Sequence, residues 1–346
     1  MQRRQFLETL GLGGMAASAM PLAVSNSKTG AEKMVQTLTG PVSPDSFGTT
    51  LIHEHLLYGP IPEALRQQSV DIVLGNLREA KRVGIDTIMC LSPERDINLY
   101  TQIANQSPVR LIASTGNYIY ARCSPALQQM NENEMVARMV RDLNEGIDGS
   151  KLRAGVIKAT GQKSPLTDWE KTCFRAAGRA QKITGVPVCT HAIYAPRDQF
   201  DILVAAGADP EKCYFSHTEA EFGWQGRNLQ QQTAYLIAIA RAGGSMLFNN
   251  FGLYKDTPWD HLVHIIRELC DKGFKHRVLI SVDSAWEWID GKAVIQHSDR
   301  YPGDPSRTYS YMMTEAVPAL LRAGFSAVDI KTFLVENPRR MFGGKL

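Results

Sequence analysis

The chain has 346 residues, of which 44% are hydrophobic and 21% charged. This is enough apolar sequence for a sizeable core, which excludes a disordered chain. Its 38 Lys+Arg and 35 Asp+Glu give a formal charge of +3 with no basic run or acidic tail, so neither nucleic acid nor an anionic membrane surface is indicated as a partner.

The 6 cysteines form no C-x-x-C pair. That excludes a zinc ribbon and a thioredoxin-type motif, and buried free thiols are the simplest reading. Residues 1–25 read MQRRQFLETLGLGGMAASAMPLAVS. Arg3 and Arg4 precede Phe6 and Leu7, a weakly apolar stretch holds Gly11, Gly13 and Gly14, and Ala23-Val24-Ser25 offers small residues for cleavage. This resembles a twin-arginine export signal. The expected organisation is a signal over 1–25, handled by the twin-arginine export machinery, and one domain over 26–346, periplasmic or otherwise extracytoplasmic. Glu8 and the glycines argue against a membrane anchor.

Beyond residue 48, short apolar runs alternate with amphipathic stretches. Eight runs read as strands: 49–53, 87–91, 109–114, 155–159, 186–191, 213–217, 245–249 and 278–283. Rich in Val, Ile and Leu, they suit a parallel sheet buried on both faces. After the fourth run, Thr167 with Glu170 makes a capping box. Trp169, Cys173, Ala176, Ala177, Ala180 and Ile183 then form an apolar stripe, and Gly185 and Pro187 end the helix. The pattern predicts an α/β fold, a (β/α)8 TIM barrel, with an open doubly wound sheet as the alternative. No G-x-G-x-x-G follows the first run, so a dinucleotide fold has no support.

His53-Glu54-His55 closes the first run. Residues i and i+2 of a strand point the same way, so both imidazoles can face the barrel axis while Glu54 points outward. His191 closes the fifth run, His217 the sixth and Asp283 the eighth. In a barrel these ends meet at one face, where active sites are built. Imidazole and carboxylate suit borderline divalent ions such as Zn²⁺. His261, His264, His276 and His297 fall in helical or loop stretches and read as surface or packing residues. Lys158 ends the fourth run in AGVIKATG. A buried ammonium is costly unless paired or neutralised. Either this lysine snorkels or salt-bridges, or burial deprotonates it and it takes up CO₂ to form a carbamate able to bridge two metal ions.

The series TLIHEH, GVIKATG, VPVCTH, CYFSH and LISVDSAW, running in this order through residues 35–346, resembles the phosphotriesterase-like branch of the amidohydrolase superfamily. VENPRRMF is similar to that family's final helix. The resemblance implies two divalent ions, Zn²⁺ first, with Mn²⁺, Co²⁺ or Fe²⁺ as alternatives. It implies that His53, His55 and Asp283 hold the more buried ion and that His191 and His217 hold the more exposed one. Carbamylated Lys158 and a hydroxide then bridge the pair.

Two such ions make hydroxide available at neutral pH. The hydroxide attacks the carbonyl of a lactone or related ester, charge develops on an oxygen already facing metal, and Asp283 takes the nucleophile's proton. No G-x-S-x-G nucleophile motif occurs. Tyr118 in TGNYIY matches a tyrosine typical of the family's lactonases. It is either a hydrogen-bond donor to a substrate oxygen or an aromatic wall. Where those lactonases carry an Asp-Arg pair, this chain has Asn249-Asn250. The segment 284–310 reads either as a lid placing Trp286, Trp288 and Tyr301 over the site or as a surface loop. The expected substrate is a small-molecule ester or lactone. A phosphotriesterase or carboxylesterase on the same metals is one alternative, and a non-catalytic periplasmic binding protein on the same barrel is another. The resemblance also implies a homodimer.

Overall fold

The computed structural model describes residues 33–57, 61–289, 291–295 and 307–344. The expected signal at 1–25, together with His297 and Tyr301, lies outside them. Eight parallel strands pair in chain order. They are β1 Thr50–Glu54, β2 Thr87–Cys90, β3 Arg110–Gly116, β4 Ala154–Thr160, β5 Val188–His191, β6 Cys213–Ser216, β7 Ser245–Phe248 and β8 Val278–Ile280. Each coincides with one of the runs read from the sequence, and helices follow the strands. The fold is the (β/α)8 TIM barrel.

Burial on both faces explains why the runs are continuously apolar. One cluster of apolar side chains fills the space between strands and helices. A second fills the barrel itself, with one residue from each strand: Ile52, Met89, Ile112, Val156, Cys189, Tyr214, Leu247 and Leu279. Val35, Phe47 and Phe342 join this second cluster, and the rings of Phe47 and Phe342 meet edge to face at 5.6 Å. They plug the end where the strands begin. The opposite end is left for chemistry.

β1 and β8 share no strand ladder. The seam between them is closed just past the strand ends, where Asp283 N–H donates to His53 O at 3.1 Å and His55 N–H to Ser284 O at 2.9 Å. Glu54 completes it. Its fully buried carboxylate accepts from Ser281 Oγ at 2.7 Å, Val282 N–H at 2.8 Å and Ser284 N–H at 2.6 Å. Pointing away from the axis therefore puts Glu54 into the barrel wall, not into solvent. Burial pushes its carboxyl up to about 7 in spite of those donors.

The helix Asp168–Thr184 starts at Thr167 with the expected capping box and stops at Gly185, φ 67°. Ile183 corrects the stripe, since it is 62% exposed. At about 100° per residue it lies roughly 80° around the helix from Cys173. Two hairpins have no counterpart in the sequence reading: Val35–Thr37 with Gly40–Val42, and Trp286–Ile289 with Lys292–Ile295. In the second, Trp288 Nε1–H donates to Ser69 Oγ at 2.6 Å. That bond ties the hairpin to the helix Arg66–Arg82. All six cysteines are free, and all but Cys270 are buried. No helix among the described residues is long and apolar enough to cross a membrane.

Candidate metal centre

Strand alternation delivers three of the expected ligands. Lys158 follows Val156 by two, His191 follows Cys189 by two, and Asp283 follows Leu279 by four, each continuing an inward-facing row. β1 needs an irregularity, because Ile52 and His53 both face inward. Its pairing with β2 shifts register between Leu51 and Glu54, and a bulge of this kind re-aims a side chain. β6 needs a kink. His217 reaches the site through a left-handed backbone, φ 62°, and Asp283 has φ 60°. Non-glycine residues hold such angles only where their surroundings fix them. β3 approaches β4 closely as well. A Cβ on Gly116, φ 112°, would lie 2.0 Å from Lys158 O, so only glycine fits there.

These devices bring the six residues together. Asp283 Oδ1 lies 3.1 Å from His55 Nε2 and 3.4 Å from His53 Nε2, and its Oδ2 lies 3.5 Å from His217 Nε2. Ligand atoms of His53, His217 and Asp283 all fall within 4.8 Å of one another. Lys158 Nζ sits 3.3 Å from His53 Nε2. The rings of His191 and His217 are 4.4 Å apart. Tyr118 stands edge-on to both His55 and His191 at 6.1 Å.

Burial holds the His53 and His191 imidazoles well below their ordinary range, reinforced by Lys158 and His217. Neutral imidazole is the metal-binding form. Burial also lowers the Lys158 amine. For Asp283, burial opposes the charge, but His53, His55 and His217 outweigh it and keep the carboxyl well below the usual range.

This donor set fits divalent cations. His191 Nε2 is buried and has no hydrogen-bond partner among the described residues. Ser92 Oγ lies 2.7 Å from His55 Nδ1 and 3.5 Å from Leu57 O. Ser92 therefore orients the His55 ring, whose Nε2 lies 3.1 Å from Asp283 Oδ1. Ser92 is one of the residues the sequence reading missed. Its serine is an ordinary strand-end residue, and its partner is 37 positions away. Ser92→Ala should weaken metal retention by about 10-fold or more, read by competition with a chelator. Unchanged retention would show that His55 needs no such support.

The Asn249-Asn250 pair holds His217. Asn249 Oδ1 accepts His217 N–H at 3.1 Å, and Asn250 Oδ1 lies 3.4 Å from His217 Nδ1. Both asparagine N–H groups donate to buried Glu219 Oε1, at 2.7 and 2.9 Å. Burial raises the Glu219 carboxyl to about 7. A cavity of about 910 Å³ opens beside His55 and Tyr118, with Leu57, Leu99, Arg95 and Arg122 also in its wall.

The sequence profile of the Phosphotriesterase family matches residues 33–342, and the chain belongs to that family. It is a hydrolase of a family whose members work with two metal ions. The N-acetyltaurine hydrolase of Salmo salar is 26% identical, over 88% of this chain and 97% of its own length. The solved structure of an organophosphorus hydrolase from Deinococcus radiodurans is 27% identical with a TM-score of 0.78, covering 91% of this chain and 98% of that one. A structure reported as organophosphate hydrolysis engineered from a weak promiscuous lactonase template is 26% identical, also with a TM-score of 0.78, over 90% and 100%.

Proposed function

We propose that this chain hydrolyses a lactone or related ester at a binuclear metal centre held by His53, His55, Lys158, His191, His217 and Asp283. The observation that carries the reading is the convergence of four imidazoles, a carboxylate and a buried amine beside a cavity open to a small molecule. The bound ions supply a Lewis acid for the carbonyl oxygen and an acidified water.

The chain's own residues do the rest. Burial favours the neutral form of the Lys158 amine, which adds to CO₂, forming an N–C bond as one C–O π bond opens and releasing one proton. The resulting carbamate places negative charge beside His53. Asp283 takes the proton of the attacking water on its carboxylate and passes it outward. Tyr118, between His55 and His191 on the cavity wall, presents its phenol to the substrate oxygen as charge develops there. The cavity wall orients the ester and excludes bulk water.

A second reading is hydrolysis of an N-acyl amide, with aryl phosphotriesters as a third. The amide is favoured by the N-acetyltaurine hydrolase relative and by the arginines in the cavity wall. One experiment separates them. Metal per chain is measured, and lactones, N-acyl amides and an aryl phosphotriester are assayed on metal-replete and chelated protein. Metal-dependent lactone turnover exceeding the other two supports the first reading. Faster amide or phosphotriester turnover replaces it. No bound metal and no turnover overturns the hydrolytic reading altogether.

A further inference from the structure

Among the described residues, Arg307 is the largest fully buried side chain whose role the chemistry above does not use, at 1% exposure. Its guanidinium binds backbone carbonyl oxygens. Nε donates to Phe251 O, while Nη2 donates to Asn249 O at 2.8 Å and also to Val282 O. Nη1 has no hydrogen-bond partner among the described residues. Its charge faces the carboxylates of Asp283 and Glu54 and acts on that of Asp256 as well. The fold makes room for it: a Cβ on Gly252, φ 83°, would lie 2.8 Å from Arg307 Cδ.

Burying a guanidinium without a bonded carboxylate is costly, so its placement calls for a reason. Its acceptors supply one. Val282 immediately precedes Asp283, and Asn249 is the residue whose side chain accepts His217 N–H. Both ligands stand in left-handed backbone. At Asp283, Glu54 fixes the N–H groups on either side, from Val282 and Ser284, and Arg307 fixes the Val282 carbonyl between. At His217, Glu219 fixes the Asn249 N–H, and Arg307 fixes the Asn249 carbonyl. Among the described residues, Arg307 is the one side chain that bonds to both supports. Two residues on, Tyr309 Oη donates to His55 O at 2.8 Å, so the same returning segment also reaches the end of β1.

We infer that Arg307 is a positioning residue, a clamp across the ends of β7 and β8 that sets His217 and Asp283 at the distances the metal centre requires. The inference rests on the metal-hydrolase reading above. Positioning groups of this kind are worth about 10- to 100-fold in metal affinity or activity.

The test compares wild type, Arg307→Gln, Arg307→Lys and, as a matched control, Asn337→Ala. Asn337 also clamps carbonyls, Lys275 O at 2.8 Å and Val278 O at 2.6 Å, but at the start of β8. Hydrogen exchange is followed on metal-free protein. Co²⁺ affinity, the Co²⁺ absorption spectrum, kcat and KM are followed on reconstituted protein.

Arg307→Gln should speed exchange at residues 281–284, alter the Co²⁺ spectrum and lower Co²⁺ affinity and kcat about 10- to 100-fold, with KM little changed. Arg307→Lys should recover part of each. Asn337→Ala should lower thermal stability while leaving the spectrum and kcat as in wild type. If Arg307→Gln does not fold, Arg307→Lys decides the matter, and a wild-type spectrum and affinity in it overturn the clamp. The clamp is equally overturned if Arg307→Gln behaves like Asn337→Ala. Wild type that neither binds Co²⁺ nor hydrolyses any substrate overturns the hydrolase reading, which is a different result from variants that match an active wild type.

Discussion

Lys158→Ala is expected to give a folded chain that retains little metal and turns over at least 10²- to 10³-fold more slowly, a loss on the order of one removed electrostatic stabiliser. The side chain is fully buried, with Nζ 3.3 Å from His53 Nε2. As an ammonium it faces imidazoles and contributes nothing to cation binding. As a carbamate it becomes the negative charge that divalent ions need among neutral imidazoles. Truncation to alanine removes the amine and leaves a cavity at the base of the site. Formate or acetate in the buffer should enter that cavity and restore metal content and rate in a saturable way.

Lys158→Met separates folding from function. The substitution keeps the side-chain volume and removes the desolvation cost of a buried amine. The metal-free variant should therefore melt at or above the temperature of metal-free wild type. With metal added the order should invert, because only wild type gains the stabilisation of ligand binding. Full activity and two bound ions in Lys158→Ala without added acid would remove the carbamate from the mechanism.

The barrel was legible because its strands are buried on both faces. A run such as VPVCTH announces itself without any partner, and all eight runs coincide with strands. The clustering of the candidate ligands was legible for a related reason. Barrel topology brings every strand end to one face, so a histidine at a strand end carries positional information. What stayed hidden depends on pairs distant in sequence. Arg307 bonds to Val282 and Asn249, 25 and 58 residues away, and Ser92 bonds to His55 across 37.

Glu54 illustrates the limit most clearly. Its direction followed from alternation, but an outward side chain at a strand end usually meets helices or water. Here it meets the one seam the sheet does not pair, and it becomes the closure between β1 and β8. The hairpin Trp286–Ile289 with Lys292–Ile295 was hidden for another reason. Its strands carry Glu287 and Lys292 among the aromatic and aliphatic residues, so no continuous apolar run marks them.

Asp283→Asn should abolish most turnover while leaving the backbone in place, and the left-handed angle is the reason asparagine is the right substitution. Asn tolerates φ near +60° as Asp does, so the φ of 60° at this position adds no new strain. The seam bonds from Val282 and Ser284 to Glu54, and from Asp283 N–H to His53 O, involve no atom of the changed carboxylate. What is lost is the charge facing His53, His55 and His217 at 3.4, 3.1 and 3.5 Å, and with it the acceptor for the nucleophile's proton.

The expected fall in kcat is about 10²- to 10⁴-fold, the worth of a positioned general base, with a smaller change in KM. Asp283→Ala loses the same chemistry and adds a backbone cost of roughly 1–2 kcal/mol for holding a residue with a Cβ and no local hydrogen bond in left-handed conformation. The two variants should therefore match in kcat and differ in melting temperature. If Asp283→Asn keeps both metals and turns over within 10-fold of wild type, as gauged against the general-base range, the proton leaves by another group. Equal melting temperatures for the two variants would instead mean that the kink at Asp283 is held by Glu54 and Arg307 alone, whatever side chain stands there.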